Sequence, residues 1–126
     1  MEYFKKEDEF IPDKLFAGLV IPVLTGFAEI ESGQGLLKRG TLIGKGSNGK
    51  YYILGSSVTE NSKTVEIVPY GILTDDIDTT KGKINAAVYL SGIFNRSAVY
   101  LAEGADISDY EYECRKLSIY FEDTIN

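Results

Sequence analysis

Apolar positions along this chain fall in short runs separated by glycine-rich turns. The segment 36–54 reads as strand, glycine turn and strand, and the segment 71–98 repeats that order. In the second segment the apolar side chains alternate onto one face at Ile84, Ala86, Val88 and Leu90. Alternation with a period of two is typical of a half-buried strand. Short strands between frequent turns favour a small β-barrel or sandwich.

Asn48-Gly49 marks the clearest hairpin in the pattern. It joins the predicted strand 41–45 to the predicted strand 50–54. Both residue types tolerate a positive φ angle, so we expect a tight type I′ turn.

Proline shapes two other segments. The mostly apolar segment 15–30 contains Pro22, and a proline cannot donate a ladder hydrogen bond, so this segment is predicted to be an edge strand or an extended wrap. The β-branched segment 65–73 contains Pro69, which predicts a bend or a bulge.

The pattern changes towards the C-terminus. Ser108 and Glu111 have the spacing of a capping box, in which each side chain bonds the other residue's backbone N–H. We therefore expect a short helix over about 109–116 that ends in basic residues, as the helix dipole favours. Residues 117–121 are predicted to form a final strand.

The first residues differ from the rest of the chain. Residues 1–14 are mostly polar, and their apolar spot is formed by Phe10, Ile11 and Pro12. The predicted organisation is a mobile N-terminal arm over residues 1–14 and a single β-rich domain over residues 15–126.

Charge limits the partners that we expect. The 126 residues include 13 Lys and Arg against 19 Asp and Glu, for a net charge of −6. Phosphate binding needs clustered basic side chains, and the sequence has no such cluster, so nucleic acid and anionic membranes are not expected partners. No apolar run is long enough to span a membrane. The charged start lacks the apolar region of a signal peptide, so synthesis in the cytoplasm is expected.

Little catalytic chemistry is open to this composition. The chain has no His and one Cys, Cys114, which excludes Ser-His-Asp and Cys-His nucleophile systems. Cys114 is interpreted as a small apolar packing residue. The run 44–50 matches a phosphate-loop pattern, but Tyr51 stands where Ser or Thr is needed and a strand follows, so the hairpin interpretation is preferred.

Three aspartates invite a calcium interpretation. Asp75, Asp76 and Asp78 are clustered, but an EF-hand loop starting at Asp76 would need other residues at Thr80, Lys81 and Ala87. A looser cation site and a solvated acidic turn both remain open. We assign no catalytic, cofactor-binding or metal-binding residue from the sequence.

Several short motifs occur in a particular order along the chain. They are PDKL at 12–15 with AG at 17–18, SGQG at 32–35 running into LKRG at 37–40, YGIL at 70–73 before DDID at 75–78, AVYL at 87–90 before GIFN at 92–95, and the helix-and-strand ending with Arg115-Lys116. In this order and spacing, over about residues 12–121, the chain resembles the lambda-type bacteriophage head-decoration protein family.

The resemblance implies a fold and a function. It implies a mainly β, β-clip-like incomplete small barrel with one short C-terminal helix and a flexible N-terminal arm. It implies a non-enzymatic virion protein, made in the cytoplasm of the bacterial host, that binds the major capsid protein on the outside of the expanded capsid as homotrimers and stabilises the head against the pressure of its DNA. The arm would then carry the shell contact, which we expect at Phe10, Ile11, Pro12, Leu15 and Phe16.

Two other functions stay open at this point. A trimeric β-clip nucleotide hydrolase could use Asp75, Asp76 and Asp78 to hold Mg²⁺, although fold analogy is weak support for function. A small β-sheet binding module would need an aromatic platform, for which the candidates are Tyr51, Tyr52 and Tyr89.

Overall fold

The computed structural model describes residues 15–18 and 22–123. The strands are β1 Phe16–Gly18, β2 Thr25–Ile30, β3 Leu36–Leu37, β4 Leu42–Gly46, β5 Tyr51–Ile53, β6 Val58–Glu60, β7 Lys63–Val65, β8 Ile67–Leu73, β9 Ile77–Asp78, β10 Ile84–Tyr89, β11 Gly92–Asn95 and β12 Ile119–Glu122. The helix α1 spans Glu111–Lys116, and 3₁₀ turns lie at Arg96–Ala98 and Ile107–Asp109. The prediction of a mainly β fold with a small barrel and one short C-terminal helix is confirmed.

Five strands form the barrel, in the order β10-β2-β5-β4-β8. Whereas the resemblance implied an incomplete barrel, the strand pairing here closes the ring. Closure depends on one parallel pair, Ile30 opposite Tyr51, between β2 and β5. By contrast, β2 pairs with β10 along its whole length, from Thr25 to Ile30. The segment that was expected to form an edge strand or an extended wrap therefore contains a barrel strand, β2, which is fully paired on one side and paired at a single residue on the other.

The first core fills the barrel interior. Its buried members are Ala28, Ile30, Leu37, Ile43, Leu73, Ala86 and Val88. Ala86 and Val88 are two of the residues that the alternating pattern placed on one face, and Ile84 and Leu90 pack against this core at its margin. The prediction of a half-buried strand is confirmed.

The second core lies on the outer side of the barrel. Leu42, Leu54 and Ile72 belong to it, and it is covered by α1 and by a three-stranded sheet of order β12-β11-β1. Its other buried members are Leu15, Phe94, Cys114, Ile119 and Phe121. Because the barrel wall is thus apolar on both faces here, the C-terminal quarter is an integral part of the domain.

Strand β8 carries a bulge next to Pro69, where the sequence predicted a bend or a bulge. Its pairing with β4 passes from Gly44 opposite Pro69 to Ile43 opposite Gly71, so Tyr70 is the extra residue. Bulges bend a strand and increase its twist, which helps a short strand to follow a narrow barrel. The predicted bend or bulge at Pro69 is confirmed.

The β4–β5 hairpin is present, but its predicted turn type is wrong. Gly49 has φ +83°, whereas Asn48 is not among the described non-glycine residues with positive φ. The Gly49 N–H donates to the Gly46 carbonyl at 2.9 Å, and the Gly46 N–H donates to the Lys50 carbonyl at 2.7 Å. These bonds define a three-residue loop that needs one left-handed residue. The pair with two positive φ angles is Asn61 and Ser62, in the β6–β7 hairpin.

The predicted capping box is also wrong. The Ser108 N–H donates to the Asp106 carboxylate at 3.0 Å, so Asp106 caps a 3₁₀ turn that precedes the helix. The helix proper begins one turn later, behind Tyr110, which makes no side-chain cap. The predicted basic end at Arg115 and Lys116 is confirmed.

Candidate functional site

The predicted shell-contact residues fall in two groups. Phe10, Ile11 and Pro12 lie outside the described residues. Leu15 is 2% exposed and belongs to the second core. Phe16 begins β1 and pairs with Phe94 of β11. The burial of Leu15 leaves almost none of its side chain for contact with another protein in this conformation.

Backbone and side-chain hydrogen bonds hold the chain in place at Leu15. The Leu15 carbonyl accepts a hydrogen bond from the Asn95 N–H. Asn95 is itself buried, and its side-chain oxygen accepts from the Ser97 N–H at 3.1 Å and from the Ser97 hydroxyl at 2.9 Å. Position 15 is therefore a fixed point of the domain.

Arg96 joins three elements beside this point. Its guanidinium donates to both carboxylate oxygens of Glu111, at 2.8 and 3.1 Å, and to Asp123 at 3.0 Å. It also donates to the Phe121 carbonyl at 3.4 Å. The hydrogen bonds from Arg96 lower the pKa of Glu111, and the same contacts raise the pKa of Arg96. A bidentate pair of this kind is geometrically specific, so it fixes α1 and β12 against the 3₁₀ turn.

A second polar arrangement supports the closure of the barrel. The Gln34 side-chain NH₂ donates to the Glu31 carbonyl at 2.9 Å, and its oxygen accepts from the Ile53 N–H at 2.8 Å. The buried Thr79 holds the same loop, because its hydroxyl accepts from the Gln34 N–H and donates to the Gly35 carbonyl, both at 2.9 Å. Sequence reasoning missed the roles of both Gln34 and Arg96, since each acts on residues far along the chain.

The three clustered aspartates accept hydrogen bonds from other residues of the chain, Asp75 from the Thr74 hydroxyl at 3.4 Å. Asp76 accepts from the Arg39 N–H at 2.7 Å. Asp78 accepts from the Thr80 hydroxyl at 2.6 Å and from the Thr80 N–H at 2.9 Å, and these bonds lower its pKa. Within residues 15–18 and 22–123, no group of three or more His, Cys, Asp or Glu side chains is placed to hold a metal ion.

Cys114 is buried in the second core, as predicted for a packing residue. Burial, with smaller contributions from Glu111 and Glu113, raises the pKa of its thiol to about 12. The thiolate is the reactive form of cysteine, so this side chain is inert in the folded protein.

Large apolar side chains are exposed on several elements. They are Leu24, Phe27, Leu36, Val68, Tyr100, Tyr112 and Leu117. Leu36 is 76% exposed and follows Gln34 and Gly35, whose backbone groups are hydrogen-bonded to the Thr79 hydroxyl. In the described part of the chain no helix is long and apolar enough to cross a membrane. The predicted aromatic platform of Tyr51, Tyr52 and Tyr89 is not formed, because Tyr52 is buried. Tyr51 packs against the first core, with its ring 4.8 Å from that of Tyr70, whereas Tyr89 packs against the second core near Phe94.

This structure defines a small β-barrel protein with an appended helix-and-sheet layer and several exposed apolar side chains. Within that class, the family model for bacteriophage lambda head decoration protein D matches residues 12–117, and the chain belongs to that family. No curated protein matches the chain. The resemblance stated from the sequence motifs is confirmed.

Membership decides between the functions that the sequence left open. Head decoration proteins are a structural, non-enzymatic family located on the virion capsid, so the nucleotide-hydrolase alternative is wrong. The match spans the whole barrel, α1 and the part of the second core that precedes Ile119, and it ends before β12.

Proposed function

We propose that this protein binds the outside of the expanded capsid as a homotrimer, contacts the major capsid protein, and stabilises the head against internal DNA pressure. The observation that carries the proposal is the family match over residues 12–117. The protein would be made in the cytoplasm of the bacterial host and act on the virion.

The packing of the domain suits this role. A protein that reinforces a shell must transmit load between neighbouring subunits, so its own elements must not slide. Two apolar cores share the barrel wall here, and the bidentate Arg96–Glu111 pair ties α1 to the layer outside the barrel.

We further propose that residues 1–14 form a mobile arm that carries shell contact through Phe10, Ile11 and Pro12, with Phe16 adjoining them. Leu15 was expected to share this contact. Because it is 2% exposed, its part in the proposal is to anchor the arm to the second core. The remainder of the chain, residues 15–126, would act as one domain.

Stabilisation would arise by linkage. A protein that binds the expanded shell in preference to other states stabilises the expanded state by mass action. Three arms in one trimer would raise the effective affinity for the shell, since the second and third contacts are intramolecular. Weak individual contacts are then sufficient for full occupancy.

The test is co-sedimentation of the purified protein with expanded, undecorated shells of its own major capsid protein. We expect saturation at three copies for each threefold position and, for DNA-filled heads, a higher temperature of DNA release after decoration. Absence of binding by the folded protein would overturn the proposal.

The arm is tested by deleting residues 1–14. We expect the deletion to weaken shell binding while leaving the unfolding midpoint of the domain unchanged, because it removes none of the described core residues, the first of which is Leu15. The matched control replaces residues 1–14 with a Gly/Ser segment of the same length, which restores chain length without the apolar residues. Full occupancy by either variant would contradict a role for the arm.

A further inference from the structure

The two edges of β2 can be told apart by their hydrogen bonds. The Leu24 carbonyl, just before the strand, accepts from the Leu90 N–H at 2.7 Å, so even-numbered residues face β10. The Glu31 N–H, just after the strand, donates to the Tyr51 carbonyl at 3.0 Å, so odd-numbered residues face β5. Along a strand the N–H and C=O groups of successive residues point to opposite edges. The backbones of Thr25 and Phe27 therefore point away from β10.

The edge formed by Thr25 and Phe27 extends beyond β5. Strand β5 meets β2 at Ile30 alone, and no other described strand pairs with this side of β2. The Phe27 carbonyl is approached by the Tyr70 hydroxyl, at 3.3 Å, which is a long hydrogen bond from a side chain rather than a ladder bond. We call the backbone of Thr25 and Phe27 on this side the open edge.

The open edge lacks the usual protection against pairing. Natural edge strands carry lysine, proline or a bulge that discourages an added strand. The segment Thr25–Ile30 has neither lysine nor proline, and its single charge is Glu29. Apolar side chains flank the edge instead, with Phe27 67% and Leu24 60% exposed. This combination is typical of a surface that receives an extended chain.

We propose that the open edge receives an extended segment of the major capsid protein, added to the barrel as a further strand. This inference rests on the proposed function. Pairing with β2 of a second copy is the poorer arrangement, because it relates two copies by a twofold axis and not by the threefold axis of the proposed trimer. The exposed Glu29 and the net charge of −6 favour a segment with an apolar residue opposite Phe27 and a basic residue beyond it.

The inference is tested by shell co-sedimentation of two edge variants, one that changes the backbone and one that changes a side chain. Thr25→Pro removes one N–H on the open edge, and proline is tolerated where a strand's N–H faces solvent. Phe27→Lys places a charge on the edge while changing only an exposed side chain, so folding is preserved even if the proline variant does not fold. Leu36→Lys is the matched control, since it also replaces a large exposed apolar side chain by lysine, but in the separate strand pair of β3 and β9.

We expect both edge variants to weaken shell binding about tenfold, which corresponds to one or two lost hydrogen bonds and their apolar contact, and the control to bind as the wild type does. Equal binding by Phe27→Lys and wild type would overturn the inference and leave the proposed function intact. Equal losses of shell binding in Phe27→Lys and Leu36→Lys would overturn the inference that the capsid segment binds at β2. Loss of the trimer by the edge variants in gel filtration would identify a second copy as the occupant and would also overturn the inference. Failure of the wild type to bind would overturn both proposals.

Discussion

The side-chain oxygen of Gln34 accepts a hydrogen bond from the Ile53 backbone N–H at 2.8 Å, so a side chain continues the barrel wall where β2 has ended. The pairing of β2 with β5 comprises one residue pair, Ile30 with Tyr51. The Gln34 amide adds a bond to β5 and, through its NH₂ group, a bond to the Glu31 carbonyl. A glutamine outside any strand thus takes part in closing the ring.

Removing the Gln34 amide should destabilise the domain. In Gln34→Ala the Ile53 N–H loses its partner in a part-buried position, and we expect a loss of about 1–3 kcal/mol in the free energy of unfolding. Gln34→Glu keeps the acceptor for Ile53 but places a carboxylate oxygen against the Glu31 carbonyl, so it should also be less stable than the wild type. Urea unfolding followed by circular dichroism measures both, and equal stabilities of Gln34→Ala and wild type would contradict the role in closure.

Gly44 should not tolerate even a methyl group. A Cβ at this position would lie 2.9 Å from the Val68 carbonyl oxygen and 3.0 Å from a Leu54 methyl, besides meeting the Ile67 side chain. We expect Gly44→Ala to cost about 1–3 kcal/mol by overpacking. Gly82→Ala is the control, because a Cβ there meets nothing within 4 Å. A neutral Gly44→Ala in thermal unfolding would show that β4 and β8 can move apart freely.

The Arg96–Glu111 pair should make stability depend on pH in the acid range. Because the pKa of Glu111 is lowered in the folded protein, its contribution is fully present above the ordinary Glu value of about 4.3 and is lost as the pH falls through the lowered folded value. At pH 7 we expect Glu111→Gln to be about 1–2 kcal/mol less stable than wild type, since it weakens charge-assisted bonds. This difference should shrink as the pH falls below about 4.3.

The neighbouring acid on the same helix provides the control for that series. Glu113 lies 3.6 Å from Lys116, and both side chains are half exposed. Exposed pairs of this kind contribute about 0–1 kcal/mol, so Glu113→Gln should have little effect at any pH. Denaturant titrations at several pH values measure the comparison. Identical pH profiles for Glu111→Gln and wild type would contradict the contribution of the pair.

Cys114 should be unreactive in the folded state. Its thiol is buried and its pKa is raised to about 12, so at pH 8 almost no thiolate is present or accessible. A maleimide or disulfide reagent should leave the native protein unmodified and react with one thiol after unfolding in urea. Rapid labelling of the native protein would mean that α1 opens readily from the second core. Cys114→Ser in the same assay controls for reaction elsewhere.

Local patterns predicted much of this fold because the physics behind them is local. Alternating apolar residues from Ile84 to Leu90 can hide one face only as a strand, and the strand is there. The hairpin around Gly49 was likewise recognised, since a glycine at a left-handed position is required by the turn itself. The basic end of the helix at Arg115 and Lys116 follows from the helix dipole in the same way.

The errors occurred where a distant residue competes with a local partner. Glu111 has the spacing to cap a helix with Ser108, but the Arg96 guanidinium engages both of its carboxylate oxygens. A bidentate charged pair is stronger than a neutral cap, so the helix begins later and Asp106 takes over the capping of the preceding turn.

The sequence by itself determined the β class, the positions of the main turns, the family, and the absence of histidine chemistry, because composition and short-range periodicity encode these directly. Only the tertiary structure decided that the barrel closes, that Leu15 is buried in a second core, and that no described strand pairs with β2 at Thr25 and Phe27 on the side of β5. These features depend on contacts between residues far apart in the chain, such as Gln34 with Ile53 and Leu15 with Asn95. Side-chain and backbone hydrogen bonds of this kind leave no periodic signal, since their partners are selected by the folded geometry alone.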